Sequence, residues 1–338
     1  MDLWLNIGLF ALATVLIGIF GYRLVKAADE FADRTGMGEA LTGAVLLGAC
    51  TSLPGLMTSS MAAWDNLPQM AVSNAIGGIA AQTVWLAIAD MAYKKANLEH
   101  AAASLSNLVQ AALLIALLAL PILAANGPGF MIGWVSPFTL LMPVIYIFGL
   151  KVAGRAEKKP MWVPEQTDQT VQDEPDPSNQ TQRMRRLVTD LAISGMMVAI
   201  AGWLLGRSGI GLIREQGLSE TTVGALFTSI SSSLPELVTT VLAARRGAQT
   251  MAVSNIIGGN AFDTLFVAVS DCFYRKGSIY AEINDQSMFL LAITVFLSAV
   301  LTMGLLRREK SGVGNIGFES LTILIGYVAA MAFIVMAG

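Results

Sequence analysis

Apolar residues occur along this chain in runs of about 20 or more, separated by shorter polar segments. A membrane-spanning helix needs about 20 largely apolar residues, so each run predicts one span. Ten runs are long enough, at 3–25, 38–63, 70–92, 101–124, 130–152, 187–212, 219–243, 250–273, 286–306 and 314–337. The pattern predicts an all-α integral membrane protein with ten transmembrane helices.

One long polar stretch divides these runs into two sets of five. It is rich in charge, Pro, Gln and Asn and has no apolar periodicity, which is typical of a flexible linker outside the membrane. The chain is therefore predicted to have a first five-helix half at 1–152, a linker at 153–186 and a second five-helix half at 187–338.

The composition supports the membrane assignment and argues against other classes of protein. Charged residues make up 13% of the chain, about half of what soluble domains carry, and the net charge of −3 does not favour a nucleic-acid partner. One histidine and two cysteines provide neither a histidine-based metal site nor a disulfide framework. Without a nucleophile–base pair or a phosphate-binding loop, no enzymatic activity and no cofactor are predicted.

The distribution of Lys and Arg predicts an orientation. Of the 21 basic residues, 17 lie at or between span ends that share one face, and 4 lie on the other face. Basic residues mark the cytoplasmic side of a membrane protein. We therefore predict a cell (inner or plasma) membrane protein with a cytoplasmic linker and both termini outside.

The two halves contain copies of one segment. Shifted by 181 residues, 39–90 aligns with 220–271 without a gap, and 22 of 52 positions are identical. Shared hydrophobicity does not explain identical runs such as Ala71-Val72-Ser73-Asn74 and Ala252-Val253-Ser254-Asn255. With five spans in each half, the second copy enters the membrane from the opposite face. Inverted repeats are typical of secondary transporters, whose substrate sites lie where the repeats meet.

The first polar cluster of each copy surrounds a proline inside a predicted helix. Pro54 frees the carbonyl of Cys50, and Pro235 frees that of Ser231, because proline has no N–H to donate. Free carbonyls and hydroxyls are hard oxygen ligands suited to Na⁺ or Ca²⁺. The hydroxyls beside them belong to Thr51, Ser52, Ser232 and Ser233.

The second cluster brings amides and carboxylates into apolar helices. Glu236 and Asp263 fall well inside spans that carry no Lys or Arg at comparable depth. A carboxylate in the membrane without a basic partner is best satisfied by a bound cation or a proton. We therefore predict Glu236 and Asp263 as the principal cation ligands. The amides predicted to assist them are Asn74, Gln82, Asn255 and Asn260.

The motifs of the second copy, Ser-Leu-Pro-Glu-Leu and Asn-Ile-Ile-Gly-Gly-Asn-Ala-Phe-Asp, resemble the α-repeats of the sodium/calcium exchanger family of cation/Ca²⁺ antiporters. The resemblance implies that spans 2, 3, 7 and 8 enclose the cation sites while spans 1 and 6 slide or rock to alternate access. The residues it places at or near these sites are Thr51, Ser52, Ser232, Ser233, Glu236, Asn255 and Asp263.

The first copy departs from the family pattern. Gly55 stands where family members carry a glutamate, Ile79 replaces the usual Asn, and Gln82 replaces a shorter amide. The leading interpretation is a secondary-active antiporter that exchanges Ca²⁺ for Na⁺ or H⁺. The alternatives are a monovalent cation/H⁺ exchanger that has lost Ca²⁺ transport, and a degenerate membrane regulator that does not transport. The sequence leaves the oligomeric state open.

Overall fold

The computed structural model describes residues 3–35, 48–93, 96–102, 104–158, 160, 162–165, 167–168, 170, 184–246, 248–310, 312 and 316–337. Within these ranges the regular structure is helical. The helices are α1 (Leu3–Thr35), α2 (Leu53–Trp64), α3 (Pro68–Ala92), α4 (Leu98–Ala101), α5 (Leu105–Asn126), α6 (Pro137–Lys158), α7 (Met184–Gln216), α8 (Glu220–Ser232), α9 (Leu234–Arg246), α10 (Gln249–Asp263), α11 (Leu265–Phe273), α12 (Asp285–Arg307) and α13 (Phe318–Ala337), with a 3₁₀ turn at Ile279–Glu282.

Among the described residues, eight helical segments are long and apolar enough to cross a membrane. A ninth is added if α8 and α9, which meet at an angle of 46°, form one broken span. The predicted second span, 38–63, is described only from residue 48 onwards. α6 and α7 extend into the predicted linker, as far as Lys158 and from Met184 respectively. Both helices thus continue beyond the apolar segments that predicted them.

The bounds of the helices repeat the 181-residue shift found in the sequence. α1 and α7 start at Leu3 and Met184, and each is 33 residues long. The same shift relates the starts of α2 and α9, of α3 and α10, of α4 and the 3₁₀ turn, and of α6 and α13. The structural correspondence therefore extends well beyond the aligned segment 39–90.

Matching helix breaks precede α2 and α9. Ser52 and Ser233, which are equivalent under the shift, lie at these breaks with φ/ψ of −79°/−9° and −94°/10°. Each is followed two residues later by Pro54 or Pro235, which cannot donate the next helical hydrogen bond. The breaks set the hydroxyl-bearing residues at the ends of short helices instead of inside continuous ones.

The long helices α1 and α7 contact these prolines through glycines. A Cβ atom on Gly202 of α7 would lie 2.7 Å from the carbonyl oxygen of Pro54 and 2.8 Å from its Cα. The equivalent Gly21 of α1 leaves no room for a Cβ against the ring of Pro235. Only glycine allows these two close approaches.

α3 and the α10–α11 pair form the centre of the bundle. About three-quarters of their apolar segments are buried, 78% and 72%, whereas α1 buries 17% of its segment. α1 instead exposes large apolar side chains such as Trp4, Leu12 and Val15, as a lipid-facing helix does. The central helices are thus the ones that carry the second polar cluster of each copy.

Asp90 and Asp271, which are equivalent under the 181-residue shift, have a structural role. Both side chains are fully buried. The Oδ1 atoms accept hydrogen bonds of 2.7 Å from the equivalent backbone N–H groups of Leu98 and Ile279. The Oδ2 atoms bind the starts of α13 and α6 through equivalent pairs of donors, which are Gly317 N and Ser320 Oγ for Asp90, and Ser136 N and Thr139 Oγ1 for Asp271.

Candidate cation-binding site

A small cavity lies where the helix breaks meet the central helices. Its volume is about 10 Å³, close to the minimum that holds one water molecule. Its walls combine carboxylates, hydroxyls and amides with a few small or apolar residues. The lining residues are Ser52, Gly55, Asn74, Ala75, Gly78, Gln82, Ser232, Ser233, Glu236, Asp263 and Phe266.

Glu236 is placed in the first turn of α9 by the break at Ser233. Its side chain is 1% exposed, and neither carboxylate oxygen meets a hydrogen-bond donor among the described residues. The Thr51 hydroxyl lies beside this carboxylate and donates a hydrogen bond to the carbonyl of Gly48, at 3.0 Å. Both oxygens of Glu236 are therefore available to a cation. A bound cation would offset the cost of burying this carboxylate without a partner.

Asp263 faces Glu236 from the last residue of α10. Its Oδ2 accepts a hydrogen bond of 2.7 Å from Nε2 of Gln82, whereas no described donor reaches Oδ1. Gln82 and Asp263 are equivalent under the 181-residue shift, so the two halves touch here through matching positions. One oxygen of Asp263 is therefore fixed by the protein, and the other is left for a ligand.

Three serine hydroxyls surround the two carboxylates. The Ser52 Oγ atom is buried without a hydrogen-bond partner among the described residues and lies beside Asp263. Ser233 accepts a longer hydrogen bond of 3.4 Å from Gln82, and Ser232 donates to the carbonyl of Ser229 at 3.1 Å. Ser52 is thus the hydroxyl least engaged by the protein.

Asn74 lines the cavity, but the protein uses most of its hydrogen-bonding capacity. Its Nδ2 donates to the carbonyl of Gly55 and to Oγ of Ser59, at 3.1 and 2.8 Å. Its Oδ1 accepts from Thr228 at 2.7 Å. We interpret Asn74 mainly as a brace that joins α2, α3 and α8 around the cavity.

The remaining predicted ligands do not line this cavity: Thr51, Asn255, Asn260, Cys50 and Ser231. Thr51 nevertheless lies next to Glu236. The Nδ2 atoms of Asn255 and Asn260 donate to hydroxyls of Thr239 and Thr83, at 3.4 and 3.2 Å. The two copies therefore place equivalent amides differently, since Asn74 reaches the cavity and its counterpart Asn255 does not.

Phe266 is a wall of the cavity that sequence reasoning missed. Its ring lies where a side chain on Gly55 would point, with Cε2 3.0 Å from the position of a Cβ atom. Phe266 stacks edge-to-face on Phe262, which in turn stacks on Tyr146. The spacing of Phe262 and Phe266, one helical turn apart, was the available signal. An aromatic ring thus occupies the space beside Gly55, where the predicted resemblance implies a glutamate side chain.

The electrostatics of the cavity favour cations. Two carboxylates line it, and no Lys or Arg does. Among the described residues, no three His, Cys, Asp or Glu side chains converge as a metal site. A bound cation would therefore be held by two carboxylates supplemented by neutral oxygens, a donor set of hard ligands suited to Na⁺ or Ca²⁺.

The fold and this cavity define a multi-pass membrane protein with an acidic pocket between its central helices. The profile of the family described as sodium/calcium exchanger protein matches residues 5–150 and 188–336. The chain therefore belongs to the sodium/calcium exchanger family, and the predicted resemblance is confirmed.

Similar proteins cover nearly the whole chain. CaxA of Alkalimonas amylolytica, a candidate antiporter, is 26% identical over 313 residues, which span 90% of this chain and 92% of CaxA. The crystal structure of the H⁺/Ca²⁺ exchanger CAX superposes with a TM-score of 0.70 at 14% identity, covering 98% of this chain and 86% of CAX. The sodium–calcium exchanger NCX_Mj gives a TM-score of 0.64 at 18% identity and covers 98% and 99% of the two chains. These two likenesses show a shared membrane fold.

Proposed function

We propose that this protein is a secondary-active cation antiporter that exchanges Ca²⁺ for Na⁺ or H⁺ by alternating access. The observation that carries the proposal is the pair Glu236 and Asp263, which are buried in one cavity with three oxygens free of hydrogen bonds from the described residues. Family membership supports it, as do the similar folds of proteins named for H⁺/Ca²⁺ and Na⁺/Ca²⁺ exchange. The protein acts in this proposal as a transporter and not as an enzyme.

In the proposed site, Glu236 and Asp263 are the charged ligands. Ser52 and Ser233 supply hydroxyl oxygens, and Gln82 orients Asp263. Two carboxylates balance one divalent ion, two monovalent ions or two protons. A cavity of about 10 Å³ is large enough for one dehydrated ion, so Ca²⁺ and its counter-ions would occupy it in turn.

The proposed architecture has ten spans in two inverted halves, joined by a cytoplasmic linker. The shared 181-residue shift of the helices and of the Asp90 and Asp271 contacts supports two copies of one unit. The basic-residue distribution supports both termini lying outside the cell. Alternating access would come from α1 and α7 moving against the broken helices that they cross at Pro235 and Pro54.

A second candidate function is the exchange of monovalent cations or protons without Ca²⁺. The specific observation in its favour is Phe266, whose ring fills the space into which a side chain on Gly55 would point. A site with one strong ligand fewer binds Ca²⁺ more weakly but can still balance two Na⁺ ions or two protons.

The decisive experiment measures transport by the purified protein in liposomes. Na⁺, Ca²⁺ and H⁺ gradients are imposed in turn, and movement of the other ions is followed with ion-sensitive dyes. Uptake of Ca²⁺ driven by a Na⁺ or H⁺ gradient supports the main proposal. Na⁺/H⁺ exchange without Ca²⁺ movement selects the second function, and no gradient-driven flux of any ion would leave only a regulatory role.

Glu236→Gln provides the matched test of the site because it removes the charge and keeps the shape. It should reduce exchange to the level of empty liposomes, while Glu282→Gln, the same change at an exposed position, should not. Near-normal exchange by Glu236→Gln would exclude Glu236 as a ligand of the transported ion.

A further inference from the structure

A second group of buried acids lies at one end of the bundle, away from the cavity. Glu99 of α4 and Glu319 of α13 are each 1% exposed, and Asp90 of α3 is fully buried beside them. Asp90 follows Gln82 by eight residues on α3, which places it about 12 Å along the helix from the cavity wall. The group is therefore separate from the cation site.

The carboxyl groups of Glu99 and Glu319 face each other and lack ordinary hydrogen-bond donors. No N–H or hydroxyl of the described residues reaches either oxygen of Glu319 or Oε2 of Glu99. The two groups are close enough for a protonated Glu99 to donate a hydrogen bond to Glu319. Gly304 of α12 leaves the space that the Glu319 side chain occupies.

Among the residues that the structure describes, the charged groups closest to this pair add negative charge to it. Asp90 accepts hydrogen bonds from Leu98 N, Gly317 N and Ser320 Oγ, so both of its oxygens are already engaged as acceptors. Glu309 adds a further negative charge near Glu319 and pairs with Arg307 at 3.3 Å.

Two further basic side chains described at this end, Arg308 and His100, form hydrogen bonds with other groups. Arg308 donates to the carbonyls of Glu165 and His100, and the His100 ring bonds to Arg308 O and Thr167 Oγ1. Among the described residues, no Lys or Arg forms an ion pair with Glu99 or Glu319.

The opposite end of the bundle shows that the fold does not require these two acids. Under the 181-residue shift, Glu99 corresponds to Tyr280 and Glu319 to Phe138. The hydroxyl of Tyr280 forms hydrogen bonds there with two uncharged side chains, those of Thr139 and Met142, at 3.2 and 3.3 Å. The capping role of Asp90 and Asp271 is kept at both ends, whereas the pair of glutamates occurs at one.

Physical chemistry limits the charge that such a pair can carry. Burial, together with the negative charges of Asp90 and Glu319, raises the pKa of Glu99 well above the ordinary 4.5. Two facing carboxylates without a cation cannot both ionise cheaply, so one keeps its proton.

We propose that Glu99 and Glu319 form a proton-binding site in which the two carboxyl groups share one proton. Its ligand is H⁺, and its occupancy holds α4 against the start of α13. Proton loss leaves two carboxylates facing each other beside Asp90 and weakens this contact. The proposal does not depend on the transport function, because none of its residues lines the cation cavity.

The first test is infrared spectroscopy of the purified protein in lipid nanodiscs, in buffer free of Na⁺ and Ca²⁺. At pH 7 the carboxylic-acid C=O band of the unmodified protein should include the shared proton. Glu99→Gln should reduce the band by one carboxyl group, because its amide then donates to an ionised Glu319. Exposed Glu282→Gln is the control and should leave the band unchanged. An equal band in Glu99→Gln and the unmodified protein would overturn the proposal.

The second test covers the case in which Glu99→Gln fails to fold. A raised pKa in the folded state gives stability that is complete below pH 4.5 and is lost as the pH rises through the folded pKa. The thermal midpoint should therefore fall by several degrees between pH 5 and an alkaline pH. Glu319→Gln removes the facing charge and so lowers the folded pKa of Glu99; its midpoint should therefore fall by less, and the fall should be complete at a lower pH. Superimposable pH profiles of Glu319→Gln and the unmodified protein would refute a shared proton.

Discussion

The close contact between Gly202 of α7 and Pro54 of α2 allows a specific prediction about the stability and the exchange rate of a variant at Gly202. In Gly202→Ala, the new Cβ atom would lie 2.7 Å from the carbonyl oxygen of Pro54, whereas ordinary van der Waals contact begins at 3.4 Å. The atoms that it meets belong to the backbone, so no side-chain rotation relieves the overlap. The helices must separate locally by the difference, about 0.7 Å.

The size of the effect follows from two opposing terms. Overpacking of this kind costs about 1–3 kcal/mol. Alanine favours a helix over glycine by about 1 kcal/mol. Gly195→Ala, on the same helix, gains the helix preference of alanine without the overpacking cost, because its Cβ meets only Cδ1 of Leu24 at 3.8 Å. The two variants should therefore differ by about 1–3 kcal/mol in the free energy of unfolding, with Gly202→Ala the less stable.

The assay compares thermal midpoints in detergent and initial exchange rates in liposomes for both variants. Gly202→Ala should have the lower midpoint and slower exchange, since Pro54 adjoins Gly55 in the cavity wall. Gly21→Ala against Gly18→Ala repeats the comparison in α1, because Gly21 lies against Pro235 and Gly18 has open space. Equal stability and equal rates for Gly202→Ala and Gly195→Ala would refute close packing at Pro54 as a constraint on movement.

Further predictions concern the ion site and the topology. Asp263→Asn should weaken Ca²⁺ transport and change the preference among ions, while it lowers stability little. Competition between ions in the liposome assay measures the preference, and an unchanged preference would contradict the prediction. With two carboxylates in the site, exchange should be closer to electroneutral than electrogenic, and a steep change of initial rate with a valinomycin-clamped potential would contradict this. Gly55→Glu alone should fail to raise Ca²⁺ affinity because Phe266 fills the space, whereas Gly55→Glu with Phe266→Ala should raise it; equal affinities would argue against steric exclusion. A cysteine in the linker, Ser178→Cys, should react with an impermeant thiol reagent only after cell lysis, and labelling in intact cells would invert the proposed orientation.

Local patterns in the sequence were sufficient to predict much of the architecture. Apolar runs located the helices because a bilayer demands about 20 apolar residues per span. Prolines within those runs predicted local loss of helical hydrogen bonds, since proline removes a helical donor wherever it lies, and the helices break beside them. Glu236 and Asp263 could be singled out as candidate ligands because ionisable groups are rare in apolar segments.

Features that depend on distant residues could not be predicted in this way. The hydrogen bonds of Asp90 come from Gly317 and Ser320, which lie more than 220 positions away in the sequence. His100 is 7% exposed because it is bonded to Arg308 and Thr167, which are also distant in the sequence. The different placement of Asn74 and Asn255 likewise depends on neighbours that the internal alignment does not reveal.

The hydrogen bond between Gln82 and Asp263 requires that the two halves of the chain differ at one equivalent position. If a single half had once paired with an identical copy, the same residue would have faced itself at this point. Two aspartates would repel each other, and two glutamines would supply no charge to a bound cation. Once both halves share one chain, each can mutate separately, and one becomes the donor while the other remains the anion. This contact ties the protein to its fused form, because a dimer of either half alone would lack one member of the pair.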